Sequence, residues 1–94
     1  MSVTITSPAN DGDPFPATIL GTYAGAPGSP KISVAVTDEG SGASSLSTAR
    51  VVPGPGGGSG TWSLTKPSNL TPGDLYTITA TLNGASDTKL HIQN

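Results

Sequence analysis

At 94 residues the chain has room for one domain, spanning 1–94, and none for a second core. Its formal net charge is −2 and its four basic residues, Lys31, Arg50, Lys66 and Lys89, are scattered, so it lacks the basic stripe of a nucleic-acid binder. It has no cysteine, which excludes disulfides and thiolate metal sites, and no run of about 18 apolar residues that would predict a membrane helix.

The apolar supply is thin but patterned. Val, Ile, Leu and Phe number 18, against 25 Ser and Thr, 13 Gly and 9 Pro. Val3 and Ile5 open an alternating segment, the two-residue period of a half-buried strand. A turn-rich connection follows from Ser7 to Pro14. Ala17 to Ala24 reads as a second strand, with Ile19 and Tyr23 on one face and Gly21 between them. Ala26 to Pro30 ends it. Lys31 to Thr37 is the clearest strand, with Ile32, Val34 and Val36 on one side, and Asp38 to Gly42 closes it. Around Leu46 the pattern fades, and Arg50-Val51-Val52 forms a short strand. Pro53 to Gly60 reads as a loop, since glycine is flexible and proline cannot donate to a ladder. Thr61 to Thr65 is a strand with Trp62 and Leu64 inward, and Lys66 to Asp74 is a turn region. Leu75 to Leu82 is a long strand with Tyr76, Ile78, Ala80 and Leu82 on one face. Asn83-Gly84 is a hairpin dipeptide, and the last strand, Thr88 to Ile92, turns Leu90 and Ile92 inward.

About seven antiparallel strands at short spacing, with no helical period, predict an all-β sandwich. Its two layers close over a core of Ile19, Val34, Val36, Leu64, Tyr76 and Ile78, centred on Trp62, whose ring buries the largest area.

The segment Gly60-Thr61-Trp62-Ser63-Leu64-Thr65, continued by Leu70-Thr71-Pro72-Gly73-Asp74-Leu75-Tyr76-Thr77-Ile78-Thr79-Ala80-Thr81, resembles the later half of bacterial immunoglobulin-like domains. The opening Val3-x-Ile5-x-Ser7-Pro8-Ala9-Asn10-x-Gly12 is similar to their first strand and turn. The spacing Leu70-x-Pro72-Gly73-x-x-Tyr76 also resembles the fibronectin type III corner, which implies that the Tyr76 hydroxyl bonds back to upstream backbone. The chain departs from antibody domains in lacking a cysteine pair, and from fibronectin domains in placing Trp62 late. The resemblance implies an immunoglobulin-like β-sandwich without enzymatic activity or cofactor. Such domains serve as spacers in adhesins and surface enzymes, as carbohydrate-binding accessories, and as decoration proteins on bacteriophage capsids and tails. An initiating Met1 without a signal peptide points to the phage case, with a location on the virion surface after assembly in host cytoplasm. The implied partner is then a protein of the capsid, the tail or a neighbouring domain, and homo-oligomerisation on the particle is compatible with so small a core. The alternative is an extracellular spacer or glycan-binding module excised from a surface protein.

The chain offers little for chemistry. His91 is the one histidine, and alternation turns it to solvent, with no second ligand to make a metal site. Gly57-Gly58-Ser59-Gly60 precedes no helix, so it is no nucleophile elbow, and Gly54–Gly60 lacks the Gly-Lys-Ser/Thr ending of a phosphate loop. Asn10 to Asp13 and Asp38-Glu39 can approach at one end of a sandwich, where oxygen-rich loops suit Ca²⁺, although such residues are ordinary turn formers. Asn69-Leu70-Thr71 is a glycosylation triplet that matters only in a eukaryotic secretory pathway. Phe15, held between Pro14 and Pro16, has two readings: an interface anchor on a stiff loop, or a cap on the open end of the core. With Trp62 and Tyr76 inside, too few aromatics remain for a sugar-stacking platform.

Overall fold

The computed structural model describes residues 1–26 and 30–94. They form eight strands and no helix: β1 (Ser2–Ser7), β2 (Thr18–Ala24), β3 (Ser33–Asp38), β4 (Ser44–Thr48), β5 (Arg50–Pro53), β6 (Ser59–Thr65), β7 (Leu75–Leu82) and β8 (Ala85–Gln93). Antiparallel pairing arranges them in two four-stranded sheets, ordered β1-β2-β6-β5 and β4-β3-β7-β8. The expected turn at Ala26–Pro30 falls, over 27–29, outside the described residues.

Alternation decides which side of each strand is inside. Val3 and Ile5 on β1, Ile19 and Tyr23 on β2, and Trp62 on β6 face Val34 and Val36 on β3 and Tyr76, Ile78, Ala80 and Leu82 on β7. All of these are buried, and Leu64 is half-buried against the same cluster. Trp62 is 1 % exposed. Its indole lies where a Cβ on Gly21 would stand, and its Nε1 donates to the Thr22 carbonyl at 3.2 Å. The glycine therefore makes the recess that admits the largest ring of the core.

The eighth strand is β4. Its sequence, Ser-Ser-Leu-Ser-Thr, has one apolar residue, and that residue, Leu46, is 73 % exposed. A strand wet on its outer face and lined by serine on the other carries no hydrophobic alternation to read. After β4 the chain crosses between sheets at buried Ala49, whose N–H donates to Ile32 at 2.8 Å, and enters β5. The Pro53–Gly60 segment is shorter as a loop than its composition suggests. Ser59 and Gly60 already belong to β6, and Gly56, Gly57 and Gly58, all at positive φ, make the turn.

The last strand also departs from simple alternation. It starts at Ala85, directly after the Asn83-Gly84 hairpin, where both residues have positive φ, as a type I′ turn requires. Tyr76 pairs with Ile92, but Ile78 pairs with Lys89, so β8 carries an extra residue opposite β7. His91 is the residue in left-handed conformation, with φ 57, the geometry of a β-bulge. The bulge resets the phase of the strand. Ile92 is buried, while Leu90, expected inside, is 41 % exposed.

Candidate functional site

One end of the sandwich gathers the polar chemistry. It is built by residues 10–16, the connection after β3, the turn 67–74 and the C-terminal residues of β8. Residues 12–15 run beside β8, with Pro14 bridging Gln93 in parallel. Phe15 N–H donates to the Gln93 carbonyl at 2.7 Å and Gln93 N–H to the Asp13 carbonyl at 3.0 Å.

That pairing fixes Phe15. Its ring is 9 % exposed and meets Tyr76 edge-on, with centroids 5.9 Å apart, while Lys66 Nζ lies 5.3 Å from the ring centre. Of the two readings of Phe15, the buried ring and its edge-on contact with Tyr76 fit the cap on the open end of the core. Backbone bonds to Gln93 turn the ring into the sandwich, leaving Pro14 exposed and Pro16 half-buried beside it.

Tyr76 crosses the corner. Its hydroxyl accepts the Thr71 N–H at 2.7 Å. Next to it Asp38, 5 % exposed, accepts the Gly40 and Ser41 N–H groups on Oδ1 at 2.8 and 3.2 Å. The Asp38 and Asp74 carboxyls are neighbours and shift each other's titration in opposite directions. Asp74, backed further by the two amides and the tyrosine hydroxyl at Asp38, holds the Asp38 carboxyl below its usual value. Asp74 is pushed up by its bond to Asp38, by burial and by the Asp38 charge. A cleft of about 140 Å³ adjoins Asp38, lined in part by Val36, Ser44, Leu70 and Thr71. It falls below the roughly 300–1,000 Å³ of small-molecule pockets. Through the Gly40 and Ser41 amides, Asp38 holds the turn that follows β3.

The acidic loops considered for Ca²⁺ do meet at this end, but through the β8 bulge. Asp11 Oδ1 accepts the Leu90 N–H at 2.9 Å and Glu39 Oε2 accepts the His91 N–H at 2.7 Å. Glu39 Oε1 lies 2.8 Å from His91 Nδ1, and Asp13 Oδ2 accepts the Asn10 N–H at 3.0 Å. The His91 amide first, and its ring second, hold the Glu39 carboxyl below its usual value against partial burial. Each carboxylate is thus committed to a backbone donor. No three acidic or histidine side chains among the described residues converge as a metal site would need. Glu39 was legible in the sequence as a charge, but its role was not, because the bulge that recruits it leaves no pattern. At the opposite end, Gly54–Gly60 forms the β5–β6 hairpin, and Gly58 accepts the Ala26 N–H at 3.1 Å.

Neither a protein-family model, nor a curated protein, nor a solved structure matches the chain. No helix among the described residues is long and apolar enough to cross a membrane.

Proposed function

We propose that the chain is a non-enzymatic immunoglobulin-like structural and binding module, acting as a decoration protein on a bacteriophage capsid or tail. Strand order supports the fold assignment. The sheets β1-β2-β6-β5 and β4-β3-β7-β8 correspond to A-B-E-D and C′-C-F-G of that architecture. The bond from Thr71 N–H to the Tyr76 hydroxyl is of the tyrosine-corner kind.

The observation that carries the functional reading is where the reactive and recognition-prone side chains are used. Asp11, Glu39, Asp38 and Asp87 bind backbone amides. Trp62, Tyr23, Tyr76 and Phe15 are all buried, so none offers a stacking surface for sugar rings. Such a chain recognises a partner through loops, strand edges and shape, which favours a protein partner in a larger assembly over a glycan.

A second reading, a spacer between domains of a surface protein, is favoured by one observation. Ser2 pairs with Ala24 at one end of the body, while Asn94 bonds Gly73, Asp74 and Thr71 at the other. The chain therefore enters and leaves at opposite ends of a body 41 Å long.

Identification of this chain by mass spectrometry and labelling on purified phage particles is the expected result. Retention on an insoluble polysaccharide, or its appearance within a longer surface polypeptide, would reject the decoration role.

A further inference from the structure

The four sheet edges are treated unequally. On the β1 edge, Asp87 from the other sheet reaches across and accepts the Ile5 N–H at 2.7 Å. On the β8 edge, residues 12–15 lie alongside and Gly12 N–H donates to the Leu90 carbonyl at 3.0 Å. On β5, the bond from Gly54 N–H to Ser59 sets the alternation, and Val51 and Pro53 then face outward. Pro53 has no N–H to offer, and Arg50 adds a charge to the same strand. These are recognised ways of blunting an edge.

The β4 edge has none of them. Asp38 N–H donates to Ala43 at one end of the β3–β4 ladder and Ala49 N–H to Ile32 at the other. Antiparallel alternation therefore directs Ser45 and Ser47 toward β3 and leaves the amides and carbonyls of Ser44, Leu46 and Thr48 pointing outward. They have no partner among the described residues. The strand holds no charge, no proline and no bulge, and Leu46 stands exposed at its centre.

We propose that β4 is a self-association edge, pairing antiparallel with β4 of a second copy about a two-fold axis through Leu46. The hydrogen-bonding pattern is self-complementary there. Leu46 faces Leu46 of the other copy and Ser44 faces Thr48, so each outward N–H meets an outward C=O. A two-fold interface brings every residue near its own counterpart or its mirror position, so a charge on the strand would meet itself. A neutral five-residue strand is suited to this pairing, and the two leucines form an apolar cross-strand pair. The second sheet then runs continuously through both copies. This inference is independent of the decoration role.

The test is sedimentation equilibrium of the full chain from micromolar to millimolar concentration, for the native protein and for Leu46→Lys. Leu46 is exposed, so the variant keeps its fold, verified by circular dichroism and tryptophan emission. The expected result is a reversible dimer whose dissociation constant rises at least about tenfold in Leu46→Lys. In a chain without native cysteine, Leu46→Cys should oxidise to a dimer much faster than Leu20→Cys on the outer face of the first sheet. A monomer throughout the range, a dimer indifferent to Leu46→Lys, or equal crosslinking at both positions would overturn the proposal.

Discussion

Gly21 has its importance from what sits against it. A Cβ there would meet the six-membered ring of Trp62 on one side and the Thr4 carbonyl on the other, and both are held by the sheet. Gly21→Ala should therefore cost about 3 kcal/mol, the upper range for overpacking a core, read as a lowered denaturant midpoint at unchanged slope. Alternation in the sequence put Gly21 on the inner face between Ile19 and Tyr23, but nothing in the pattern said which ring would occupy the recess. The two tyrosines make a second contrast. The Tyr76 hydroxyl accepts a backbone amide, whereas the buried Tyr23 hydroxyl has no partner among the described residues. Tyr76→Phe should lose about 1–2 kcal/mol by orphaning the Thr71 N–H, while Tyr23→Phe should be neutral or stabilising. Paired melts of the two variants check this. A cost for Tyr23→Phe equal to that of Tyr76→Phe would remove the distinction.

Charge pairing and the bulge act on whole elements. The neighbouring carboxyls of Asp38, at the end of β3, and Asp74, in the turn before β7, have opposite pH effects. Asp38, held below the ordinary carboxylate value, adds stability above that value and loses it as pH falls through the lowered one. Asp74, raised above the ordinary value, costs stability as pH climbs from that ordinary value up to its raised one. Asp74→Asn should raise the melting temperature at pH 7, with the gain vanishing as pH falls toward that ordinary value. A gain that persists in acid would mean the pair is not the cause. At the β8 bulge, His91 holds a backbone conformation that glycine adopts freely and branched residues resist. Its exposed pairing with Glu39 contributes little. His91→Gly should thus gain up to about 1 kcal/mol and His91→Val should lose stability, measured by chemical denaturation. Reading elements from sequence succeeded where one face is apolar, as in β7, whose bounds follow its alternation, Tyr76 to Leu82. It failed at β4, where both faces are polar, and at Leu90, where an inserted residue shifts a phase that sequence periodicity assumes constant. The site end followed the same rule. Phe15 and Tyr76 were visible as aromatics near turns, but their contact depends on a parallel pairing of residues 12–15 with β8 that no local signal announces.

The whole molecule is slender, 41 × 20 × 19 Å with a radius of gyration of 12.9 Å. Its core is a single layer between two sheets with one indole at the centre. Trp62→Ala should cost about 3–5 kcal/mol, a large part of the roughly 5–15 kcal/mol that holds a domain together. A loss under about 1 kcal/mol in a denaturant melt would mean that the indole is not the centre of the core. Threonines line the outward faces of the strands, as at Thr4, Thr22, Thr61 and Thr81, while the two-sheet layout follows from turn spacing and alternation together.

The pairing of residues 12–15 with β8 has a mechanical consequence. The two segments run the same way, but one leads back to Met1 at one tip and the other ends at Asn94 at the opposite tip. Tension applied between the tips drags them past each other. The bonds Gly12–Leu90, Phe15–Gln93 and Gln93–Asp13 are then strained simultaneously in shear, and none can open ahead of its neighbours as in a zipper.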